Sequence, residues 1–293
     1  MNRFIIFVSL VWICIACSTG SENEVKVDIW YGQEQRFGGL GNPQRQINIL
    51  GNIQVPDDSC RVYYTLNGQG REVEITLGSD LHRLAMKGDF NIDIDRSELR
   101  EGNNHVSLSI RRQGKKLLSR TIRFTYTSAN TWPLPYYVDW SEALQLQDVV
   151  EVVDGKWEIT TAGAHIKEQY YDRVLAFGNN SWTNYEVETS VVFHDYVPPA
   201  EGPPTYNVSH VAIASRWPGH DRDSLQPDRK WFPLGATSEF RITDDYDSCR
   251  WRIFDGENFY EEQEIQDYRS IQPEKKYKLK HRVENISVIP LGE

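Results

Sequence analysis

The sequence predicts an all-β protein with two β-sandwich domains. Short segments rich in β-branched and aromatic residues alternate apolar with polar positions, and Gly- and Asn-containing turns separate them. A polar segment with two prolines, residues 128–135, interrupts this pattern, and we interpret it as a linker. The chain has 293 residues, which is long enough for two domains of ordinary size.

The first 17 residues are typical of an export signal. Arg3 precedes an apolar run from Phe4 to Cys17, which is shorter than the roughly 20 residues that a membrane-spanning helix needs. The end of the run, residues 14–17, resembles the lipobox of bacterial lipoproteins, with Cys14 at the position where Leu is usual. The resemblance implies that Cys17 is lipidated and becomes the first residue of the mature chain.

We therefore expect an exported protein that its lipid holds at the outer membrane or cell surface, with residues 18–24 as a tether. A periplasmic or secreted protein is the alternative, because an ordinary secretory signal has the same charged, apolar and small-residue regions.

Seven short strands are predicted between residues 25 and 127. They lie at residues 25–30, 46–55, 60–66, 72–77, 90–95, 106–110 and 117–126. Asn67-Gly68 tolerates the positive φ angles of a hairpin turn, and the alternation of Phe90, Ile92 and Ile94 with polar residues predicts one apolar face. Seven strands in about a hundred residues indicate an immunoglobulin-like or fibronectin-type-III-like sandwich.

Residues 136–293 are also β-rich, with longer segments and many aromatic side chains. The last predicted strand spans residues 276–283. In it, Tyr277, Leu279, His281 and Val283 share one face, and basic residues occupy the other. This alternation predicts a half-buried strand with a solvated basic surface.

Three segments of the second domain resemble the first strands of a concanavalin-A-like, laminin-G-type jelly roll. They are Trp157–Gly163, Trp182–Val187 and Val211–Arg216, and the resemblance extends over residues 136–283. It implies a jelly-roll sandwich and no particular activity. Such sandwiches continue through more strands than this chain has after Val283, so we expect a partly missing sheet whose exposed edge is available to a protein partner.

The charge balance argues against nucleic acid as a partner. Without the signal, the chain carries 31 basic and 42 acidic side chains, and a polyanion is repelled by such a total.

The sequence implies no cofactor. No zinc-binding motif is present, although Asp244, Asp245 and Asp247 could ligate Ca²⁺ through oxygen. Cys60 and Cys249 lie in different predicted domains, so two buried thiols are as consistent with the sequence as one disulfide.

The loop from Arg216 to Asp223 is the densest group of chemically active side chains. A sugar could stack on Trp217 while Asp221 and Arg216 bind its hydroxyls. The candidate glycan-binding residues are Trp217, Trp182, Tyr185, Trp231, Arg216, His220 and Asp221. In the alternative interpretation, the arginines and aspartates neutralise one another in a surface loop, and Trp217 plugs the end of the sandwich.

No spacing in the sequence assigns catalytic residues. The Glu-x-Asp-x-x-Glu motif of laminarinase-type hydrolases, which share the jelly roll, is poorly matched at residues 151–158, because Asp154 falls on the opposite face of the strand from Glu151. An enzyme would instead draw on one of two polar clusters. One consists of His165, Glu168, Tyr170, Tyr171, Asp172 and Arg173, and the other of His220, Asp221 and Asp223.

The sequence favours a membrane-anchored lipoprotein in which the immunoglobulin-like domain is a spacer and the jelly roll binds a polysaccharide or other glycan. A glycoside hydrolase or polysaccharide lyase on the same fold is one alternative. A structural or adhesion protein of the cell surface is another, because an incomplete sheet would suit docking on a second chain.

Overall fold

A computed structural model describes residues 24–130, 132–170, 173–194, 208–231, 235–243, 249–255, 257–261 and 272–284. The protein is all-β in these residues, as the sequence predicts, and their helices are single 3₁₀ turns at Arg96–Glu98 and Leu146–Asp148. None of the helices in the described ranges is long and apolar enough to span a membrane. The export signal and Cys17 lie outside the described residues.

The described strands divide into two groups along the chain. The first group is β1 (Lys26–Ile29), β2 (Glu34–Phe37), β3 (Gln46–Gln54), β4 (Cys60–Leu66), β5 (Gln69–Ile75), β6 (Asp89–Asp95), β7 (Gly102–Arg112) and β8 (Lys115–Tyr126). The second group is β9 (Glu151–Asp154), β10 (Trp157–Thr160), β11 (Gly163–Ile166), β12 (Val174–Ala176), β13 (Tyr185–Val192), β14 (Val208–Ser215), β15 (Ala236–Thr243), β16 (Cys249–Phe254), β17 (Phe259–Glu261) and β18 (Lys276–Val283).

Strands β1 to β8 form a two-layer sandwich. One layer has the order β1-β3-β6 and the other the order β2-β8-β7-β4-β5, with β2 parallel to β8. This arrangement confirms the predicted β-sandwich, and its assignment to the immunoglobulin-like class stays a prediction. The sequence pattern misses β2, because a four-residue edge strand is too short to show a clear alternation.

Strands β3 and β6 are buried on both faces. Their isoleucines fill the core between the two layers. On the opposite face Asn48, Asn91 and Asp93 are also buried, and Leu50 packs against apolar side chains of the second half. The second half of the chain therefore covers a face that an isolated immunoglobulin-like spacer would expose.

The predicted linker is packed against the first sandwich. The Trp132 side chain is buried, and its backbone nitrogen approaches Gly41 so closely that an added Cβ there would lie 2.7 Å away. The Asn42 amide also donates a hydrogen bond to the carbonyl of Ser128 (3.1 Å). The segment between the two halves is thus held in place where it leaves β8.

The second half contains another two-layer sandwich. The sheet β14-β15-β16-β17 packs on the pair β13-β18, with Phe240 and Leu279 at the centre of the contact. The predicted inward face of β18 is confirmed, since Leu279, His281 and Val283 are buried and its alternate basic residues are exposed. The pairs β9-β12 and β10-β11 form two smaller sheets. The assignment to the concanavalin-A-like jelly roll stays a prediction.

Two minor predictions concern cysteine and calcium. Cys60 is buried with a free thiol. The side chain of Cys249, Asp244, Asp245 and Asp247, and the end of the chain at which an exposed edge is expected, lie outside what the structure describes. Within the described ranges, no three His, Cys, Asp or Glu side chains are arranged to hold a metal ion.

Candidate functional site

Residues 217–231, which we call the bridging loop, carry four of the predicted site residues and lie against the first sandwich. The carbonyl of Pro218 accepts a hydrogen bond from the amide of Arg45 (2.9 Å). The carbonyl of His220 accepts bonds from the side chains of Arg45 and Gln46 (2.6 and 3.1 Å). The loop therefore leaves its own sandwich and packs beside β3.

Gln226 attaches the bridging loop to the edge of β6. Its side-chain Oε1 accepts a bond from the amide of Asp93 (2.8 Å), and its Nε2 donates to the carbonyl of Asp93 (3.0 Å). The carbonyl of Gln226 also accepts a bond from the amide of Thr76, just beyond β5 (2.8 Å). One side chain thus satisfies the edge of β6 as a neighbouring strand would.

A buried ionic cluster joins the two halves, and we call Arg83, Asp93, Asp154 and His220 the interdomain cluster. Nε of Arg83 donates to Oδ1 of Asp154 (2.6 Å), and its terminal nitrogens donate to both carboxylate oxygens of Asp93 (2.7 and 3.0 Å). Oδ2 of Asp154 lies 2.9 Å from Nε2 of His220. One arginine from the loop before β6 therefore holds a carboxylate from each half.

Amide side chains complete the hydrogen bonding of the cluster. Asn48 donates to Oδ1 of Asp93 (2.6 Å), and Asn91 donates to Oδ1 of Asp154 (2.9 Å) and to the carbonyl of Val153 (2.7 Å). Burying a charge costs several kcal/mol unless pairing and hydrogen bonds compensate, and every carboxylate oxygen of this cluster has a partner. The arrangement is therefore suited to hold the halves in one relative position.

The pKa values of the buried acids follow from their partners. Burial by itself raises the pKa of Asp154, but the charge of Arg83 and the bond to His220 outweigh it and lower the pKa to about 2. Asp228 is different, because burial and the nearby carboxylate of Asp93 raise its pKa to about 6. Asp228 lines an acidic cleft of about 280 Å³ between the first sandwich and the bridging loop.

Aromatic rings enclose His220. The ring centroids of Trp217 and Trp231 lie 5.1 and 4.8 Å from that of His220, and the two indoles lie 4.9 Å apart. Among the described residues, no hydroxyl or thiol forms a hydrogen bond with His220, and its Nδ1 has no partner. In the part of the chain that the structure describes, the Asp154–His220 pair is thus not joined to a hydroxyl or thiol such as a hydrolytic triad contains.

The expected exposure of Trp217 and His220 is wrong. Trp217 is 7% exposed and His220 is 1% exposed, so neither ring offers a surface on which a sugar could stack. The alternative interpretation, in which Trp217 is a packing residue, agrees with the structure. The physical reason is that the bridging loop packs on the first sandwich, which the sequence pattern treats as a separate body.

Trp182, Tyr185 and Arg216 are predicted residues that the structure brings together near the surface, and we call them the aromatic patch. The two rings are half-buried, with centroids 5.7 Å apart. The amide of Arg216 donates to the hydroxyl of Tyr185 (3.0 Å), and its guanidinium donates to the carbonyl of Thr183 (2.7 Å). The patch therefore presents two rings and a cation side by side.

Other predicted residues serve the bridging loop itself. The carboxylate of Asp221 lies 3.6 Å from the guanidinium of Arg45, and its amide donates to the carbonyl of Lys230. Asp223 accepts a hydrogen bond from the amide of Leu225 (2.6 Å). Trp231 is half-buried beside His220.

The predicted polar cluster that contains His165 and Arg173 is divided in the structure. His165 pairs with Glu158 across the β10-β11 hairpin (3.2 Å). The guanidinium of Arg173 lies 5.4 Å from the centre of the Tyr170 ring, and it donates to the carbonyl of Glu168. Tyr171 and Asp172 lie outside the described residues.

The sequence pattern misses Arg83, Asp93 and Asp154 as residues that act together. One signal was present, because Asn91 and Asp93 alternate with isoleucines in a strand, and Asn48 does the same in β3. Such alternation is equally typical of a strand that faces solvent, so the pattern alone does not reveal that these polar residues are buried.

Comparison with known proteins gives little further information. No family model and no curated protein matches the chain. Among solved structures, an endo-beta-1,4-mannanase from Thermotoga petrophila is similar to a part of the chain, with a TM-score of 0.28 and 10% sequence identity. The similarity covers 38% of this chain and 21% of the mannanase, and it carries no argument about fold or function.

Proposed function

We propose that the protein is an exported lipoprotein that binds a polysaccharide or other glycan through the aromatic patch of Trp182, Tyr185 and Arg216. The observation that supports this function is the juxtaposition of two partly exposed rings with an exposed arginine. Rings offer apolar faces to the CH groups of a sugar, and a guanidinium binds hydroxyls or carboxylates.

The order of the elements supports this choice of surface. Trp182 precedes β13 and its ring lies on Gly178, where an added Cβ would approach the ring to 2.7 Å. Arg216 follows β14, so the sandwich holds the patch from two strands. A preorganised site of this kind loses less conformational entropy when it binds.

The test is binding of residues 18–293 to a panel of neutral and acidic polysaccharides, with released oligosaccharides measured in parallel. We expect binding without product, and an affinity about 30-fold lower for Trp182→Ala, the size of loss that truncating a tryptophan at a binding hot spot produces. Released oligosaccharides would instead support the hydrolase or lyase alternative.

The matched control is Tyr137→Ala, because Tyr137 is an aromatic residue that is 83% exposed elsewhere on the chain. This variant is expected to bind as the unaltered protein does. Equal affinity of the Trp182 and Tyr137 variants would remove the aromatic patch from the proposal.

The lipid anchor is tested separately. Cys17 is the proposed acylation site, and the proposed location is the outer membrane or cell surface. We expect the full chain to incorporate a labelled fatty acid and to fractionate with membranes, and Cys17→Ser to lose both properties. Unchanged labelling of the serine variant would contradict the assignment.

A further inference from the structure

The hairpin that joins β7 to β8 has an unusually basic tip. Gln113 and Gly114 form its two-residue turn, with φ angles of 49° and 80°. Four basic residues flank this turn, and we call them the basic tip: Arg111, Arg112, Lys115 and Lys116. Strand register places Arg111 opposite Lys116 and Arg112 opposite Lys115.

These cross-strand pairs are unfavourable for folding. Like charges directly opposite each other on neighbouring strands repel and destabilise a hairpin. Acidic neighbours compensate on one strand, since Arg111 pairs with Glu72 and Arg112 with Asp57. Lys115 and Lys116 are exposed and have no acidic partner within the described ranges. A locally unfavourable arrangement of this kind is typical of a surface kept for binding.

The basic tip lies at the end of the sandwich where the chain enters it. Cys60, the first residue of β4, is opposite Arg112, and the connection from β3 to β4 contains Asp57, which pairs with Arg112. The last residue of β3, Gln54, is opposite Lys26, the first residue of β1. The start of β1 and the basic tip are therefore at the same end of the first sandwich.

The chain between Cys17 and this end of the first sandwich is short. Eight residues lie between Cys17 and Lys26, and the nine steps from one to the other reach at most about 30 Å in an extended chain. A lipid at Cys17 would keep the basic tip close to a membrane surface.

The charge of the chain is also unevenly distributed. Residues 24–127 carry 15 basic and 13 acidic side chains, whereas residues 128–293 carry 16 basic and 28 acidic ones. An anionic surface would attract the first sandwich at its basic tip and repel the second half. This asymmetry of charge favours an orientation in which the first sandwich faces the membrane and the second half, with the aromatic patch, is directed away from it.

We propose that the basic tip docks on the anionic headgroups of a lipid bilayer, with Lys115 and Lys116 binding lipid phosphates. The biological setting rests on the proposed lipid anchor, but the docking surface belongs to the folded chain. Lipid anchoring by one signal is commonly reinforced by a basic patch, and this tip would supply that second contribution.

The test is sedimentation of residues 18–293, which lack Cys17, with vesicles rich in phosphatidylglycerol and with vesicles of phosphatidylcholine alone. We expect binding to the anionic vesicles only, and weaker binding as salt is raised. Lys115→Glu/Lys116→Glu is expected to bind at least about 30-fold more weakly, because each basic residue near an anionic membrane contributes about a factor of five.

The matched control is Lys275→Glu/Lys276→Glu, which makes the same change of net charge at two adjacent exposed lysines of the second half. It is expected to bind as the unaltered chain does. Equal losses in both variants would show a net-charge effect and overturn the assignment to the tip. Binding of soluble polyphosphate without binding of vesicles would overturn the lipid assignment.

Folding and anchoring are distinguished from docking in the same experiment. The tip variant replaces repelling pairs by attracting ones, so its thermal unfolding midpoint is expected to equal or exceed that of the unaltered chain. Because these proteins lack Cys17, their vesicle binding does not depend on acylation. A failed acylation test would therefore leave this result intact.

Discussion

At the scale of single residues, Arg83 is the most consequential side chain of the described structure. Its side chain is fully buried and binds carboxylates from both halves of the chain, and it also donates to the carbonyl of Asp228. Removing one member of a buried ionic group leaves the other charges buried without compensation. This lowers the stability of the fold more than replacing the whole group by apolar residues does.

We expect Arg83→Met to lower the free energy of unfolding by about 3–5 kcal/mol, because Asp93 and Asp154 would remain buried without their shared cation. Urea denaturation followed by circular dichroism measures this change. Arg36→Met is the control, since Arg36 is exposed, and it should change stability by less than about 0.5 kcal/mol. Similar values for the two variants would contradict the role assigned to the cluster.

Asp228 gives the protein a specific dependence on pH. Its folded-state pKa is raised to about 6, so the folded chain holds this proton more tightly than the unfolded chain does. The contribution of Asp228 to the free energy of unfolding is therefore fully present below about pH 4, and it is lost as the pH rises from about 4 to about 6. Asp154, with its pKa lowered to about 2, acts oppositely and loses its contribution as the pH falls from about 4 to 2.

The prediction concerns Asp228→Asn, which cannot titrate at this position. Between pH 4 and 6 the loss of stability with rising pH that Asp228 causes in the unaltered protein should be absent from this variant. Chemical denaturation at several pH values measures both slopes. Parallel slopes would mean that Asp228 is not the group that titrates.

At the scale of structural elements, the bridging loop explains why β3 and β6 tolerate polar residues on a buried face. The loop supplies a partner for Asp93, and the end of β9 supplies one for Asn91. Asn48 donates to Asp93 within the first sandwich. Gln226 satisfies the free edge of β6 at Asp93 with a side chain instead of a strand. The edge is thereby protected from pairing with another chain.

We expect Gln226→Ala to expose this part of the β6 edge. The amide of Asp93 loses its acceptor, so its hydrogen exchange should become at least about tenfold faster, which corresponds to a loss of about 1.4 kcal/mol of local protection. Exchange resolved by NMR measures this rate. Gln113→Ala in the β7-β8 turn is the control, and a rate unchanged by both substitutions would show that Gln226 does not protect the edge.

At the scale of the whole molecule, the two halves of the chain are in contact in the described residues. The contact contains the interdomain cluster, the bridging loop and an apolar cluster formed by Leu50, Leu146, Val150 and Val152. The first sandwich, which we expected to be a separate spacer, is therefore packed directly against the second half. A rigid support would keep the aromatic patch at a constant distance from the basic tip.

We expect the two halves to unfold together. Urea denaturation followed by tryptophan fluorescence and by far-ultraviolet circular dichroism should give coincident single transitions, since separation of the halves would expose buried charges. In Arg83→Met the transitions should separate or broaden. Two well-separated transitions in the unaltered protein would mean that the halves are independent.

The sequence by itself determined most strands of the first sandwich and the all-β sandwich class. Period-two alternation places the isoleucines of β6 and the inward face of β18 correctly, because those residues are fixed by local patterning and burial in their own sandwich. It also included Trp182, Tyr185 and Arg216 among the seven candidate glycan-binding residues.

Only the tertiary structure decided which polar residues are buried and which aromatic residues remain near the surface. Trp217 and His220 look like site residues in the sequence, yet they pack against the first sandwich, while Asn91 and Asp93 alternate like solvent-facing residues and are buried. The physical reason is that these burials come from contacts between residues more than sixty positions apart, such as Arg83 with Asp154 and Asp154 with His220. A local pattern indicates the side of a strand on which a residue lies, but it does not indicate which part of the chain packs against that side.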